Sequence, residues 1–412
     1  MFGTIVGPIV GPADVVVGKI EYNGGMKDFD YLDEKSVYLD AACQSLRPES
    51  VVRALDDYYH KHNSCGERVK YQWGMKTDEL VEETRKKVLK LLKLKGKEYF
   101  VSFTLNTTYG INLILNNLKP ELVKKVVTSE IEHNSPFLAT MALSERLGVP
   151  RIVLKREENG NLVVDKQMDF AGAVVVMNCA ANFDGRQLGN LKEIVKRVHK
   201  DGGIIIIDAA QAMAHYYEML EKTEADAICF SAHKMYAPSL GVIVARRDLV
   251  PRLKLSFIGG GMVDDVFEGH YELSALGNKE HVHTIFEPGL QAWGEIIGLG
   301  VAIGWLNART KADRQRLENC TKELDEFLRS KAKVKMVGSV ANPTMSFYVE
   351  GMDSHLLGSA LASEGIMART GYFCAHYYLD KVCKYPPLVR FSLSYATRET
   401  DIEKVKKVME KI

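Results

Sequence analysis

The chain has 412 residues, 46% hydrophobic and 26% charged, a length suited to two domains rather than one simple core. Its formal net charge is +1, so no global field favours nucleic acid or an acidic membrane surface. The seven cysteines, at positions 43, 65, 179, 229, 320, 374 and 383, form no CxxC pair. That pattern fits free thiols in a reducing cytoplasm better than a disulfide framework.

The opening MFGTIVGPIVGPADVVV is apolar but broken by Gly and Pro. It lacks a basic n-region and is too short to span a bilayer, so an extended arm packed on the body or a partner is expected. VYLDAACQS reads as a short strand ending in a turn. A helix follows, with Pro48 near its start and Val51, Val52, Leu55, Tyr58 and Tyr59 at helical spacing. Residues 63–76 are expected to be an irregular surface loop, and Thr77 to Leu94 an amphipathic helix.

EYFVSFTLNTTYGINLILNNL is strand, small-polar turn and helix. Backbone N–H groups, hydroxyls and the helix dipole at Asn106–Gly110 have the physics of an anion site; Thr107-Thr108 as a plain N-cap is the competing reading. KKVVTSEIEHNSPFLATMALSERLG is strand, loop and helix, with His133 in the loop and Ser135-Pro136 opening the helix. RIVLKRE and AGAVVVMNCAANFDG add two short strands, the second followed by Asn182. LKEIVKRVHKDGG is a helix with a Gly stop. This alternation predicts an α/β, doubly wound pattern.

Four isoleucines then end at Asp208, and a second apolar run, AICF, ends at Ser231-Ala232-His233-Lys234. Continuous β-branched runs read as strands buried on both faces of a parallel sheet. An acid and a lysine at the ends of two such strands face the crevice where open α/β sheets bind ligands. Lysine forms Schiff bases with aldehyde cofactors, and an acid keeps a pyridine nitrogen protonated. The pair suggests pyridoxal phosphate (PLP). From these two residues alone, a solvated loop lysine and a capping aspartate stay open.

After Lys234, LGVIVARRDLV reads as an antiparallel or edge strand. Residues 255–295 are irregular and polar, with Gly259-Gly260-Gly261, and loops of that length are often functional. IIGLGVAIGWLNARTKADRQRLENCTKELDEFLRS is one or two long helices. VKMVGS, TMSFYVE, SHLLGSALASEG, IMARTG, VRFSLS and a final helix from Arg398 make a smaller α+β unit. The expected division is an N-terminal extension over 1–36 packing on the small domain, a large PLP-binding domain over 37–295 and a small C-terminal domain over 296–412.

From Tyr38 onward the motifs YLDAACQS, NTTYGIN, EHNS, AANFDG, IDAAQA, SAHKMYAP, GGGM, FEPG, ARTGYFCA and VRFSLSYAT stand in an order and spacing that resemble the class V aminotransferase superfamily. These are fold-type I PLP enzymes, and the chain most resembles a group II (SufS-type) cysteine desulfurase or selenocysteine lyase. The resemblance implies a large domain with a mostly parallel seven-stranded-type sheet and a smaller α+β C-terminal domain. It implies that Lys234 forms the Schiff base with PLP, Asp208 pairs with the ring nitrogen, and Gln211 bonds the ring oxygen with Asn182 nearby. His133 would stack on the ring and move protons. Thr107, Thr108, Ser231 and His233 would hold the phosphate. Arg390, with Asn182, would bind the substrate carboxylate, and Cys374 would be the nucleophile that takes sulfur from L-cysteine. The implied protein is a cytoplasmic homodimer that passes sulfur to an acceptor or scaffold protein for iron–sulfur or other sulfur-cofactor assembly, with no resident metal, nucleic acid or membrane.

Cys374 separates this reading from an aminotransferase, epimerase or other lyase of the superfamily, since those reactions need no thiol. Lys234, Asp208, His133 and Arg390 separate it from a non-catalytic scaffold. Three positions depart from the pattern: Leu290 stands where the family often has a phosphate-reaching Thr, Ala396 where it has Asn, and Cys65-Gly66-Glu67-Arg68 where it has Arg-Gly-x-His.

Overall fold

The computed structural model describes residues 26–67, 69–338 and 341–411; most of the expected N-terminal arm, residues 1–25, lies outside them. The described chain begins with a 3-10 turn, Met26–Phe29. Phe29 is buried edge-on to Trp305, ring centroids 5.7 Å apart, and the Trp305 indole N–H donates to Asp28 at 2.7 Å.

Strand β1 (Val37–Tyr38) and helix α1 (Glu49–Lys61) follow. Helix α2 runs Gln72–Leu91, so it starts inside the stretch expected to be loop and ends before Leu94. Trp73 and Gly74 are weak helix formers, which hides the first turn in the sequence. That turn is secured by the Thr77 hydroxyl, which donates to the Trp73 carbonyl at 3.1 Å.

The chain then alternates as the hydrophobic runs predict: β2 (Tyr99–Thr104), α3 (Thr107–Asn117), β3 (Lys125–Ser129), α4 (Asn134–Leu147), β4 (Arg151–Leu154), β5 (Ala173–Asn178), α5 (Leu191–Lys200), β6 (Ile204–Asp208), β7 (Ala227–Ser231) and β8 (Gly241–Arg246). These strands form one seven-stranded sheet in the order β2-β8-β7-β6-β5-β3-β4. β8 pairs antiparallel with both β7 and β2; it is interior to the sheet, not an edge. The other recorded pairings are parallel. Ile204 to Ile207 are essentially inaccessible, and each such side chain contributes roughly 1.5–3 kcal/mol. The parallel strands therefore all deliver their C-terminal ends to one edge, where Asn178, Asp208 and Ser231 emerge.

The stretch expected to be irregular contains a small hairpin, β9 (Val263–Val266) with β10 (Tyr271–Leu273), and a short helix α6 (Ser274–Gly277). Two helices then appear, α7 (Trp293–Asn307) and α8 (Lys311–Ser330). α7 is apolar all round, as a helix buried on every side must be. Its Gly300 sits so close to the Thr84 side chain of α2 that a Cβ would collide with it. α8 is opened by a capping box between Thr310 and Asp313.

The C-terminal elements are β11 (Val334–Val337), β12 (Thr344–Val349), α9 (Ser354–Ser363), β13 (Ile366–Met367), β14 (Arg369–Gly371), β15 (Leu388–Ser392) and α10 (Glu399–Met409). β11, β12, β15 and β14 form an antiparallel sheet in that order. β1 pairs parallel with β13, and Asp40 bridges to Ser392, so the segment through Asp40 is built onto this second region.

One buried ion pair ties α2 to the segment before α7. Arg85 donates to Glu287 through both terminal nitrogens at 2.7 and 2.8 Å, and the Phe103 N–H donates to the same carboxylate at 2.6 Å. Both side chains are buried. Glu287→Ala would leave the buried guanidinium with only the exposed Glu82, 3.0 Å from its Nε, as counter-charge, at a cost of up to roughly 3–5 kcal/mol. Urea unfolding should show a loss of that size, and a loss below about 1 kcal/mol would mean that water or another acid takes the place of Glu287.

Candidate functional site

Nine of the eleven residues singled out in the sequence line one cleft at the C-terminal ends of the parallel strands: Thr107, Thr108, His133, Asn182, Asp208, Gln211, Ser231, His233 and Lys234. The other two, Arg390 and Cys374, come from the C-terminal region and are tied to this set by hydrogen bonds through Asn182. The Asn182 carbonyl accepts from Arg390 Nη1 at 2.9 Å, and its Nδ2 donates to the Phe373 carbonyl at 2.5 Å.

One end of the cleft is the start of α3. Asn106, not a threonine, is the cap: its Oδ1 accepts the Tyr109 N–H at 2.9 Å. That leaves the threonine hydroxyls for other work. Thr107 donates its N–H to Ser231 Oγ at 2.9 Å, and the two hydroxyls lie 2.6 Å apart. Thr108 Oγ1 is 2.6 Å from Ser135 Oγ. The end of β7 is thus fastened to the first turn of α3, where the helix dipole favours a phosphate. Gly241 makes the close approach possible: a Cβ there would lie 2.5 Å from the Asn106 backbone nitrogen.

At the floor, Asp208 is buried at the end of β6 and accepts the Ala210 N–H at 2.9 Å. Burial raises its pKa, opposed by that hydrogen bond and by the charge of Lys234. Burial conversely lowers the pKa of Lys234, opposed by Asp208. A buried acid held this way is suited to a cationic N–H, and a half-buried lysine with a depressed pKa is suited to act as a nucleophilic amine and base. Gln211 Nε2 donates to the Ala42 carbonyl at 2.8 Å, which fixes the turn after β1 against the β6 end.

His133 caps α4. Its Nδ1 accepts the Ser135 N–H at 3.0 Å, so the ring proton sits on Nε2. Burial first, then Lys234 and Arg390, push its pKa down to about 3. Burial likewise puts His233 at about 4. Behind His133, Glu132 accepts from the Ser129 hydroxyl and from the Asn178 N–H; its burial, opposed by Arg156, raises its pKa to about 7.

This gives a pH dependence with a definite sign. An unfolded histidine titrates near 6.5, so between pH 6.5 and about 3 the unfolded chain binds a proton at residue 133 that the folded chain does not. Stability from this group is therefore present above pH 6.5 and lost as pH falls through that window. In cofactor-free protein, His133→Gln should flatten the decline in melting temperature between pH 7 and 4. An unchanged slope would show that residue 133 does not contribute.

Arg390 is buried, and its Nη2 donates to Asp40 Oδ1 at 3.1 Å. Asp40 also accepts from Arg369, at 3.2 Å from Nε and 2.9 Å from Nη2, and Arg369 Nη2 donates to Cys43 Sγ at 2.5 Å. Sequence reasoning missed this Asp40–Arg369–Cys43 cluster, although YLDAACQS and ARTG supply all three residues. Cys374 is exposed, and it and Phe373 both have positive φ, 58° and 49°. The Asn134 N–H, next to His133, donates to the Cys374 carbonyl at 2.6 Å, which ties the thiol-bearing loop to the residue beside the cleft wall.

The residues fit PLP on two features of this structure. The buried Asp208 is placed for a cationic ring nitrogen, and Asn182 Oδ1 and Arg390 Nε are buried polar atoms with no protein partner, as a site completed by a polar ligand leaves them.

Comparison with known proteins agrees. The aminotransferase class-V family profile matches residues 37–405. A probable cysteine desulfurase of Pyrococcus abyssi is 28% identical over 357 residues, covering 84% of this chain and 86% of that protein. One from Methanothermobacter thermautotrophicus is 28% identical over 390 residues, covering 91% and 94%. The apo cysteine desulfurase structure from Thermococcus onnurineus superposes with a TM-score of 0.80 at 27% identity, covering 92% of this chain and 94% of that one. The Escherichia coli desulfurase CsdA shares the fold, with a TM-score of 0.82 at 20% identity and coverage of 93% and 96%. With a match that spans the strand ends, the lysine and the C-terminal sheet together, the chain belongs to the aminotransferase class-V family of PLP-dependent enzymes.

Proposed function

We propose that this enzyme is a cysteine desulfurase: it converts L-cysteine to L-alanine and holds the sulfur as a persulfide on Cys374. The observation that carries the reading is the thiol loop itself. Cys374 is fastened to the neighbour of His133 through Asn134, and its preceding residue is fastened to Asn182 in the cleft. Aminotransferase or epimerase chemistry gives a thiol at that place nothing to do. The desulfurase names carried by relatives at 27–28% identity point the same way.

In this reading Lys234 would hold PLP, with Asp208 serving its ring nitrogen, Gln211 and Asn182 its ring oxygen and His133 its ring. Thr107, Thr108, Ser231 and His233 would hold its phosphate. PLP, when bound, supplies an electron sink beside the substrate α-carbon. The chain's own residues do the rest. Arg390, aided by Asn182, binds the substrate carboxylate. The Lys234 amine takes the α-proton, and the neutral His133 relays protons at Nε2. The Cys374 thiolate attacks the substrate sulfur: the S–S bond forms as the Cβ–S bond breaks, and protonation at carbon leaves alanine. We further propose a cytoplasmic homodimer that hands sulfur to an acceptor or scaffold protein for iron–sulfur or other sulfur-cofactor assembly. Residues 37–295 would be the cofactor-binding domain and 296–412 the domain that brings Cys374 and Arg390. Among the described residues no helix is long and apolar enough to cross a membrane.

The direct test is L-alanine release from L-cysteine by PLP-loaded protein with a dithiol present; alanine must match sulfide one for one. No alanine with the cofactor bound would reject the assignment. Arg390→Ala should raise KM for cysteine by about a hundredfold, from the loss of a charged, two-pronged hydrogen bond, with a smaller change in kcat. An unchanged KM would move the carboxylate site elsewhere, since uniform binding energy is read in KM.

A further inference from the structure

We propose that Ser346 is a positioning residue for the substrate carboxylate: it holds the loop after β5 in register with Arg390, so that the guanidinium stays at Asn182. This rests on the desulfurase reading above, in which Arg390 and Asn182 bind that carboxylate.

The loop that carries Asn182 is a tight turn. Ala180 bridges to Gln187, and the Ala181 N–H donates to the Arg186 carbonyl at 2.9 Å. Along it, three consecutive main-chain carbonyls each accept a hydrogen bond from a side chain of the C-terminal region. Asn182 accepts from Arg390 Nη1 at 2.9 Å, Phe183 from the Ser346 hydroxyl at 2.5 Å and Asp184 from Asn342 Nδ2 at 2.9 Å. The middle of the row is also anchored by packing. Phe183 is fully buried and stacks on Tyr378, with ring centroids 5.4 Å apart.

Ser346 and Arg390 stand directly opposite each other on β12 and β15. Opposed residues of an antiparallel pair put their side chains on one face, with Cβ atoms about 4.5–5.5 Å apart. The two side chains therefore reach neighbouring carbonyls of one loop. Ser346 is wholly buried, where a serine adds little apolar contact and its hydroxyl must find a partner.

The row also shows what that hydroxyl prevents. A buried carbonyl without a donor is costly, and the chain shifts to satisfy it. With the Ser346 hydroxyl removed, a ready donor for Phe183 is Arg390, already bound to the adjacent carbonyl. A guanidinium carries its N–H groups in one rigid plane. Drawing it toward Phe183 turns that whole plane away from Asn182, and the carboxylate grip turns with it. Asp40 cannot make up the loss, because it accepts from Arg390 Nη2 and offers the loop no donor. Asn342 provides the comparison within the same row. It precedes β12, is half-buried, and also accepts from the Tyr216 hydroxyl at 3.1 Å, but it does not stand opposite Arg390.

The test titrates PLP-loaded, full-length protein with L-cysteine, following cofactor absorption for binding and alanine release for turnover. Ser346→Ala should raise the half-saturating cysteine concentration and KM about tenfold, the scale of one misdirected buried hydrogen bond, with kcat within about threefold of the parent's. Ser346→Thr keeps the hydroxyl and should stay within about threefold of the parent in both. Ser346→Cys, a weaker donor, carries the same test if the alanine variant does not fold, and should fall between the other two. Asn342→Ala should leave both values within about twofold, because water can replace a half-exposed donor. Parent-like binding in Ser346→Ala overturns the proposal, as does an equal weakening in Asn342→Ala or Ser346→Thr. A fall in kcat at unchanged KM overturns it too, by moving the effect to the chemical step. A parent whose absorption responds to cysteine but which releases no alanine sinks the desulfurase reading alone, and the half-saturation values still decide the role of Ser346. A parent with neither response sinks both.

Discussion

Lys234→Ala should abolish turnover of cysteine and remove the visible absorption of the cofactor bound to lysine. Two contributions are lost together. The first is covalent anchoring of PLP at the end of the β7 strand. The second is the base that takes the α-proton, since general-base catalysis alone is worth about 10²–10⁴-fold. A fall in kcat of about 10⁴-fold or more is expected. The location of Lys234 explains why nothing nearby can substitute. It is enclosed by the strand ends, and burial keeps its amine from holding a proton as tightly as an exposed lysine would. Among the residues lining the cleft, the nearest alternative bases are His133 and His233, whose pKa values of about 3 and 4 make them weak. Residual activity within tenfold of the parent would reject Lys234 as both anchor and base. Lys234→Arg separates the two effects from misfolding: it keeps a long cation in place while removing the nucleophilic amine, and should be as inactive as the alanine variant with a melting temperature closer to the parent's.

Much of this site was legible because its central residues end strands. A run of four isoleucines can hardly be anything but a doubly buried strand, and the first polar residue after it must surface at the sheet edge; Asp208 is that residue. Ser231 and Lys234 follow from AICF by the same argument. At the start of α3 the turn and the helix were legible, but the competing reading of Thr107-Thr108 as a plain N-cap does not hold. Thr107-Thr108 looked like the cap, whereas Asn106 fills that role and leaves the threonine hydroxyls to meet Ser231 and Ser135. The start of α2 was hidden for a different reason: the Thr77 hydroxyl bond to the Trp73 carbonyl secures a turn that the weak propensity of Trp73 and Gly74 does not announce. Least legible was the cluster around Arg390. Asp40 and Arg369 are 329 residues apart and Asp40 and Arg390 are 350 apart, and no periodicity in a sequence brings such segments together. Their meeting depends on β1 joining β13 and on Asp40 bridging to Ser392, pairings that only the fold supplies.

Cys374→Ala should bind PLP and cysteine as the parent does, yet lose alanine formation by at least about a thousandfold, because the attacking sulfur is gone while the groups that bind and deprotonate the substrate remain. The geometry separates these functions cleanly. Asp208 ends a strand of the seven-stranded sheet and Lys234 lies in the turn that follows β7, whereas Cys374 sits on a loop that touches the cleft through main-chain carbonyls: that of Phe373 to Asn182 and its own to Asn134. Removing the side chain leaves both hydrogen bonds in place, so the loop should keep its position. Phe373 and Cys374 both occupy the left-handed region, a conformation that costs a non-glycine residue about 1–2 kcal/mol. Alanine bears that cost as cysteine does, so the melting temperature should change little. Glycine relieves it, and Cys374→Gly should be the more stable of the two variants while equally inactive. The decisive reading is the exchange of the substrate α-proton with solvent deuterium. Lys234 should still catalyse it in Cys374→Ala, with alanine absent. Loss of exchange as well as alanine would show that Cys374 shapes the cleft rather than attacks sulfur, and alanine at the parent's rate would place the nucleophile elsewhere.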